Sequence, residues 1–308
     1  MMRMVEIHAD DYALTVNTSR EMTDLIREGI LDGISVIVNS LSSEECCELF
    51  LSAIPDFPFV PKISVHLDLV EGIRLSDAGT SYITDTWSSL FLSSFIPFYR
   101  QKVKQQLKAE IAAQIEEGMI FVNKCADKAL SCNVPFNSKG LRIDSHQHTH
   151  MIPVVWSALT EVIDEKGYEV DYIRNSKEPI MPFAGRFDLI KSFRPANVVK
   201  NRLLSVLSRP VDRYYKKYGH RPMYLWGLMM SGRMDALRIT TYYDAMKEKA
   251  DKDGRDLEIL FHPGKMTGEE LCRGIPQKSA DDFYLSSDRD IEKEGARKCR
   301  KLTDVSSA

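Results

Sequence analysis

The sequence has no run approaching the roughly 20 apolar residues needed to span a bilayer. Its opening stretch, MMRMVEIHADDYALTV, is interrupted by Glu6, Asp10 and Asp11, where a secretory leader needs an unbroken apolar region. A cytoplasmic protein is expected. A basic excess is also missing: 41 Lys+Arg stand against 44 Asp+Glu, a formal charge of −3. That argues against a nucleic-acid partner, and the missing span argues against a membrane one. Cysteine is sparse and scattered. Cys46, Cys47, Cys125, Cys132, Cys272 and Cys299 form no CxxC pair, so reduced thiols are expected rather than a disulfide framework or a cysteine metal cage. No internal repeat or low-complexity tract is found. What remains is an ordinary globular composition, 44% hydrophobic and 28% charged, with enough apolar material to offset the entropy of ordering the chain.

Apolar periodicity alternates between short β-branched runs and longer amphipathic ones. Strands are expected at Met4–His8, Ile34–Val38, Ile63–Leu69, Gly140–Asp144, Val170–Arg174, Tyr224–Met229 and Leu257–Phe261. Helices are expected from Asn17 to Gly29, from Ser43, over roughly 101–130, over Pro153–Lys166 and over about 235–250. Strands alternating with helices indicate an α/β class with a parallel sheet. Polar residues recur at the strand ends, as in a parallel barrel whose site lies on the carboxyl-terminal rim. The expectation is a single distorted TIM-like barrel over residues 1–308. Residues 70–100, rich in aromatics, and 176–220 would be rim insertions, and 265–308 a polar tail. The length of 70–100 suggests a lid over the site.

Seven histidines are present, and three fall in Asp144-Ser145-His146-Gln147-His148-Thr149-His150. If that segment stays extended, Asp144, His146, His148 and His150 point to one side. Four titratable or metal-capable groups would then share one space. Asp10 and Asp11 place adjacent carboxylates at a strand end, costly unless something positive is near. A divalent cation would answer both charges; a helix cap would explain one. His66 shares its strand face with Ser64 and Asp68, and His262 ends a strand before a turn fixed by Pro263 and Gly264. Alone, His66 reads more readily as a hydrogen-bonded core residue than as a ligand. His8 and His220 are assigned no role.

These residues also carry a resemblance. ADDY at 9–12, SVHLDL around His66, DSHQHTHMIP at 144–153 and EILFHPG at 258–264 resemble the YdjC-like carbohydrate deacetylases, which include chitooligosaccharide deacetylases. Ser231-Gly232 resembles the family's SG pair, and Arg174 with Glu178 its RxxxE segment. The resemblance implies a distorted α/β barrel and a metal held by Asp11, His66 and His146. It implies Asp10 as general base and His262 as general acid, with His148, His150, Arg174 and Glu178 at the substrate. It implies magnesium, although two imidazoles and one carboxylate suit zinc by ligand softness. The implied reaction is hydrolysis of an N-acetyl group on an amino sugar or short oligosaccharide, by a protein that forms homodimers. Ala13 stands where the family usually has Gly, which asks for no positive φ there. Two other readings are a metal-dependent phosphoesterase, which needs a cationic clamp drawn from Arg142, Arg174 or Lys265, and a non-catalytic sugar-binding protein on the same barrel.

Overall fold

In the computed structural model, which describes residues 4–138, 140–184, 189, 193, 195–271 and 282–307, seven parallel strands form one curled sheet. They are β1 (Val5–Tyr12), β2 (Gly33–Val36), β3 (Lys62–Leu67), β4 (Leu141–Ser145), β5 (Val170–Ile173), β6 (Met223–Trp226) and β7 (Asp256–Phe261). Their spatial order is β5-β4-β3-β2-β1-β7-β6, so the first strand is central and the expected distorted TIM-like α/β barrel is formed. Among the described residues no strand ladder joins β5 to β6. The edges meet instead where the Leu225 amide donates to Lys177 O, just past β5 (3.1 Å).

Ten helices among the described residues surround the sheet: α1 (Val16–Arg27), α2 (Ser43–Ala53), α3 (Trp87–Ser93), α4 (Pro97–Cys132), α5 (Pro153–Lys166), α6 (Pro195–Leu207), α7 (Arg209–Tyr218), α8 (Ala236–Asp253), α9 (Gly268–Leu271) and α10 (Asp288–Ser307). Local chemistry fixes their ends. Thr15 and Thr18 form a reciprocal capping box at α1, Asp235 caps α8 through the Arg238 amide, and Pro153 opens α5. None is long and apolar enough to cross a membrane. Cys46, Cys47, Cys125, Cys132 and Cys299 are free thiols; Cys272 lies outside the described residues.

Strand alternation divides the packing. Ile7 and Ala9 of β1 join Ile34, Ile259 and Phe261 in an apolar layer under the helices. A second apolar cluster covers β3, β4 and β5 with Ile111, Ile115, Leu159 and Val162. The inward set is charged: Glu6, His8, Arg142, Asp144, Arg174 and Glu258 are all buried. The barrel is therefore lined by ion pairs rather than by branched apolar layers.

Four expectations are corrected. β1 runs on through the acidic pair to Tyr12 rather than ending near His8. Ala13 adopts φ 68°, a left-handed conformation that costs an L-residue roughly 1 kcal/mol; its amide is held by Ser19 Oγ at 2.9 Å. The aromatics of 70–100 form no lid over the site: Trp87 stacks on Phe91, Phe91 meets Phe95 edge-on, and none of them lines the cleft described below. The tail from Lys265 carries α10, which packs along α8 and reaches β1.

Gly295 allows that packing. A Cβ built there would lie 1.7 Å from Met234 O, a backbone atom that cannot rotate away. Gly295→Ala is expected to lift α10 and to lower unfolding stability by about 1–3 kcal/mol, read by urea denaturation. An unchanged midpoint would show that α10 does not dock this closely.

Candidate active site

Neighbouring residues of β1 serve two different arginines. Asp10 points into the barrel, where Arg174 grips it with two hydrogen bonds, Nη1 to Oδ2 at 2.7 Å and Nη2 to Oδ1 at 2.8 Å. Asp11 takes φ 70° at an irregularity of the β1–β2 register, so its carboxylate turns upward and meets Arg289 Nη1 at 3.1 Å. Asp tolerates that conformation better than most L-residues, and backbone strain of this kind gathers at functional sites. The adjacent charges are thus answered by separate guanidiniums. A cation is not required to explain both, which corrects the inference from sequence.

Asp11, His66 and His146 converge, with one donor atom from each lying within 4.8 Å of the others. His146 Nδ1 is 3.0 Å and His66 Nε2 3.7 Å from Asp11 Oδ1. The far nitrogen of each ring is held: His66 Nδ1 by Asp144 Oδ1 at 2.6 Å, and His146 Nε2 by Tyr284 Oη at 2.9 Å with Glu71 Oε1 at 3.2 Å. Carboxylates behind imidazoles are the outer support typical of metal-ligating histidines. The donor set therefore fits a metal ion, held by Asp11, His66 and His146.

The electrostatics favour positive charge at this point. Burial opposes the His66 imidazolium, but Asp10 and Asp144 outweigh it and raise the pKa. Burial likewise opposes His146, and the hydrogen bond and charge of Asp11 lift it well above its ordinary value. Burial would raise the Asp10 carboxyl, yet Arg174 and His66 hold it well below the usual range. Asp144 is brought down to about 2, again by Arg174 and His66 against burial.

The cleft over these groups measures about 360 Å³ and is lined by Asp10, Asp11, His66, His146, His148 and His262, among others. Residues 176–220 supply Asn197 and Lys200 to its wall; no residue of 70–100 lines it. Within 70–100, Glu71 reaches the site from outside the lining.

The segment 146–151 does not stay extended. Gln147 and His148 are left-handed, in a tight turn, so alternation does not set the directions of these rings. His148 still lines the cleft, with Nδ1 3.0 Å from Ser176 Oγ. Burial, helped by Lys200 and Arg174, keeps it well below its ordinary pKa, hence neutral. His150 turns away to Ser145 Oγ (2.6 Å) and Arg174 O (2.8 Å), and burial takes it down to about 4. Arg174 and Glu178 do not line the cleft either. Arg174 bridges Asp10, Asp144 and Glu258 from below, and Glu178 accepts the Gly227 and Met229 amides at 2.8 and 2.7 Å. The assignment of His150, Arg174 and Glu178 to substrate contact is therefore corrected: they sit behind the wall they support.

His262 faces the cleft, and its amide donates to Glu292 Oε2 at 2.6 Å. The same carboxylate is 3.5 Å from His262 Nδ1 and accepts the Gly232 amide through Oε1 at 2.6 Å. Sequence reading missed Glu71, Asn197, Lys200, Tyr284, Arg289 and Glu292. The only local signal was the pair Phe283-Tyr284 within an otherwise polar tail.

Parallel strands whose carboxyl ends present a two-histidine, one-aspartate cluster in a cleft define an α/β barrel with a candidate metal centre. The chain belongs to the YdjC-like protein family, whose model matches residues 4–119 and 141–300. A carbohydrate deacetylase of Oceanobacillus iheyensis is 31% identical over 165 residues, which make up 52% of this chain and 58% of that protein. The match thus spans little more than half of either. A solved structure from Enterococcus faecalis V583, provisionally named a cellobiose-phosphate cleavage protein, superposes with a TM-score of 0.54 over 96% of both chains at 16% identity. That likeness concerns the fold alone.

Burial raises the Glu178 carboxyl to about 7 against the pull of its amide donors. The folded protein then holds a proton more tightly than the unfolded chain, so this group's contribution to stability falls as pH rises from about 4.5 to about 7. Glu178→Gln is expected to flatten that part of the stability–pH curve. Thermal melts across pH 4–8 check it, and a variant curve parallel to the wild type's would refute it.

Proposed function

We propose that the protein is a metal-dependent carbohydrate deacetylase that hydrolyses the N-acetyl group of an amino sugar or a short N-acetylated oligosaccharide. The observation carrying this reading is the convergence of Asp11, His66 and His146 in one cleft with Asp10 and His262. The name of the Oceanobacillus iheyensis relative and the family membership support it. Zinc suits the donor set and magnesium follows from the family resemblance.

An amide is a weak electrophile with a poor leaving group. A bound divalent ion would polarise the acetyl carbonyl and acidify water. The remaining work falls to side chains. Asp10, kept ionised by Arg174, would accept the proton of the attacking water. His262 would donate a proton to the departing amine, which leaves badly as an anion. Glu292 stands behind His262 and accepts a hydrogen bond from its amide. Neutral His148 would remain a hydrogen-bonding group in the wall. Of the cations a phosphoesterase clamp would draw on, Arg142 and Arg174 are already committed to Glu6, Asp10, Asp144 and Glu258.

Acetate release from a panel of N-acetylglucosamine oligomers, by metal-stripped and by reloaded protein, tests the reading. No release from any member with any of Mg²⁺, Zn²⁺ or Co²⁺ would reject it. His66→Ala is expected to lose metal while the metal-free protein melts as wild type does; retained metal with a collapsed melting temperature would make His66 a core residue. Asp10→Asn and His262→Ala are each expected to lower kcat by about 10²–10⁴-fold, the range for general acid–base groups, with metal content intact. Near-full activity in His262→Ala would move the acid role to another group.

A further inference from the structure

The imidazole of His146 sits on a turn and has two nitrogens, either of which is able to ligate a metal. Its surroundings distinguish them. Nδ1 faces Asp11 Oδ1 at 3.0 Å. Nε2 faces Tyr284 Oη at 2.9 Å and Glu71 Oε1 at 3.2 Å. Tyr284 Oη in turn donates to Glu71 Oε1 at 2.9 Å. These three groups close a small ring of hydrogen bonds around one nitrogen. Carboxylates accept only, so without metal the ring donates from both nitrogens; an ion between Asp11 and His66 would take the place of the Nδ1 proton, while Nε2 goes on donating to Glu71. His66 is arranged the other way: Asp144 occupies its Nδ1 at 2.6 Å, which leaves Nε2 free toward Asp11.

We infer that Tyr284 and Glu71 are positioning residues that fix His146 to bind metal through Nδ1, while Asp144 fixes His66 to bind through Nε2. The inference rests on the metal reading above and extends it to residues that no ligand motif contains. The two clamps come from opposite parts of the chain. Glu71 follows β3. Tyr284 precedes α10, whose Arg289 also holds Asp11 (3.1 Å) and Gly264 O (2.6 Å). Tyr284 is 4% exposed, and its ring lines the cleft. It therefore both shields the His146 nitrogen from water and orients it.

The test uses the full chain stripped of metal. Titration calorimetry with Zn²⁺ alone is expected to give 10–100-fold weaker binding for Tyr284→Phe and for Glu71→Gln than for wild type, the cost typical of a lost outer-shell partner. Melting of the metal-free variants should shift by no more than a few degrees. Should Tyr284→Phe fail to fold, Glu71→Gln, at the edge of the site, decides alone. In protein labelled with ¹⁵N at histidine and loaded with ¹¹³Cd²⁺, coupling is expected to His146 Nδ1 and His66 Nε2. Coupling to His146 Nε2, or wild-type Zn²⁺ affinity in both variants while His146→Ala has lost binding, would overturn the clamp and leave the metal reading standing. Wild-type Zn²⁺ affinity in His146→Ala would overturn the metal reading itself.

Discussion

The Arg174 guanidinium lies between carboxylates of three strands: Asp10 of β1, Asp144 of β4 and Glu258 of β7, at 2.7, 3.0 and 2.6 Å. Glu258 also accepts from Tyr172. All of these groups are buried. Removing such charges from water costs several kcal/mol each, and only mutual pairing with good geometry offsets it. The interior therefore stands or falls together. Its members also set the site: Asp144 holds His66, Asp10 faces the cleft, and the Arg174 carbonyl anchors His150. Burial chemistry and site geometry are, in this barrel, the same hydrogen bonds.

A second line of contacts crosses the barrel along its axis. Lys62 bonds Glu6 at 2.7 Å, Glu6 meets His8 at 3.0 Å, His8 meets Ser35 at 2.7 Å, and Ser35 bonds Asp144. The chain ends on His66. His8, given no role by sequence reading, is thus a link between the closed floor of the barrel and the histidine at its mouth.

Strands were legible because their β-branched runs are strongly periodic, and Asp10, Asp11, His66, His146 and His262 because polar residues at the ends of apolar strands have few structural uses. Other features were illegible for physical reasons. The turn at Gln147 and His148 depends on left-handed backbone that side-chain alternation cannot reveal. Arg174 looks like a rim residue until the curl of the sheet carries it under Asp10. Asp288–Ser307 reads as a polar tail because its buried charges, Arg289 and Glu292, pair with loop amides and with Asp11 far away in sequence. Ala13 shows the limit of residue rules: the structure imposes φ 68° on it, with Ser19 and Ser40 bonded to its backbone.

Glu178 closes the one line along which the sheet has no ladder. Between β5 and β6, among the described residues, a main-chain bond and a carboxylate gripping two amides stand where neighbouring strands elsewhere share a register. A ladder resists sliding and spreading along its whole length, whereas a point attachment leaves a hinge line. Mechanical compliance is therefore concentrated at this seam, beside Asn197, Lys200, Gly227 and Leu228 in the cleft wall. By contrast β1, β3 and β4, at whose ends Asp11, His66 and His146 stand, are laddered on both edges.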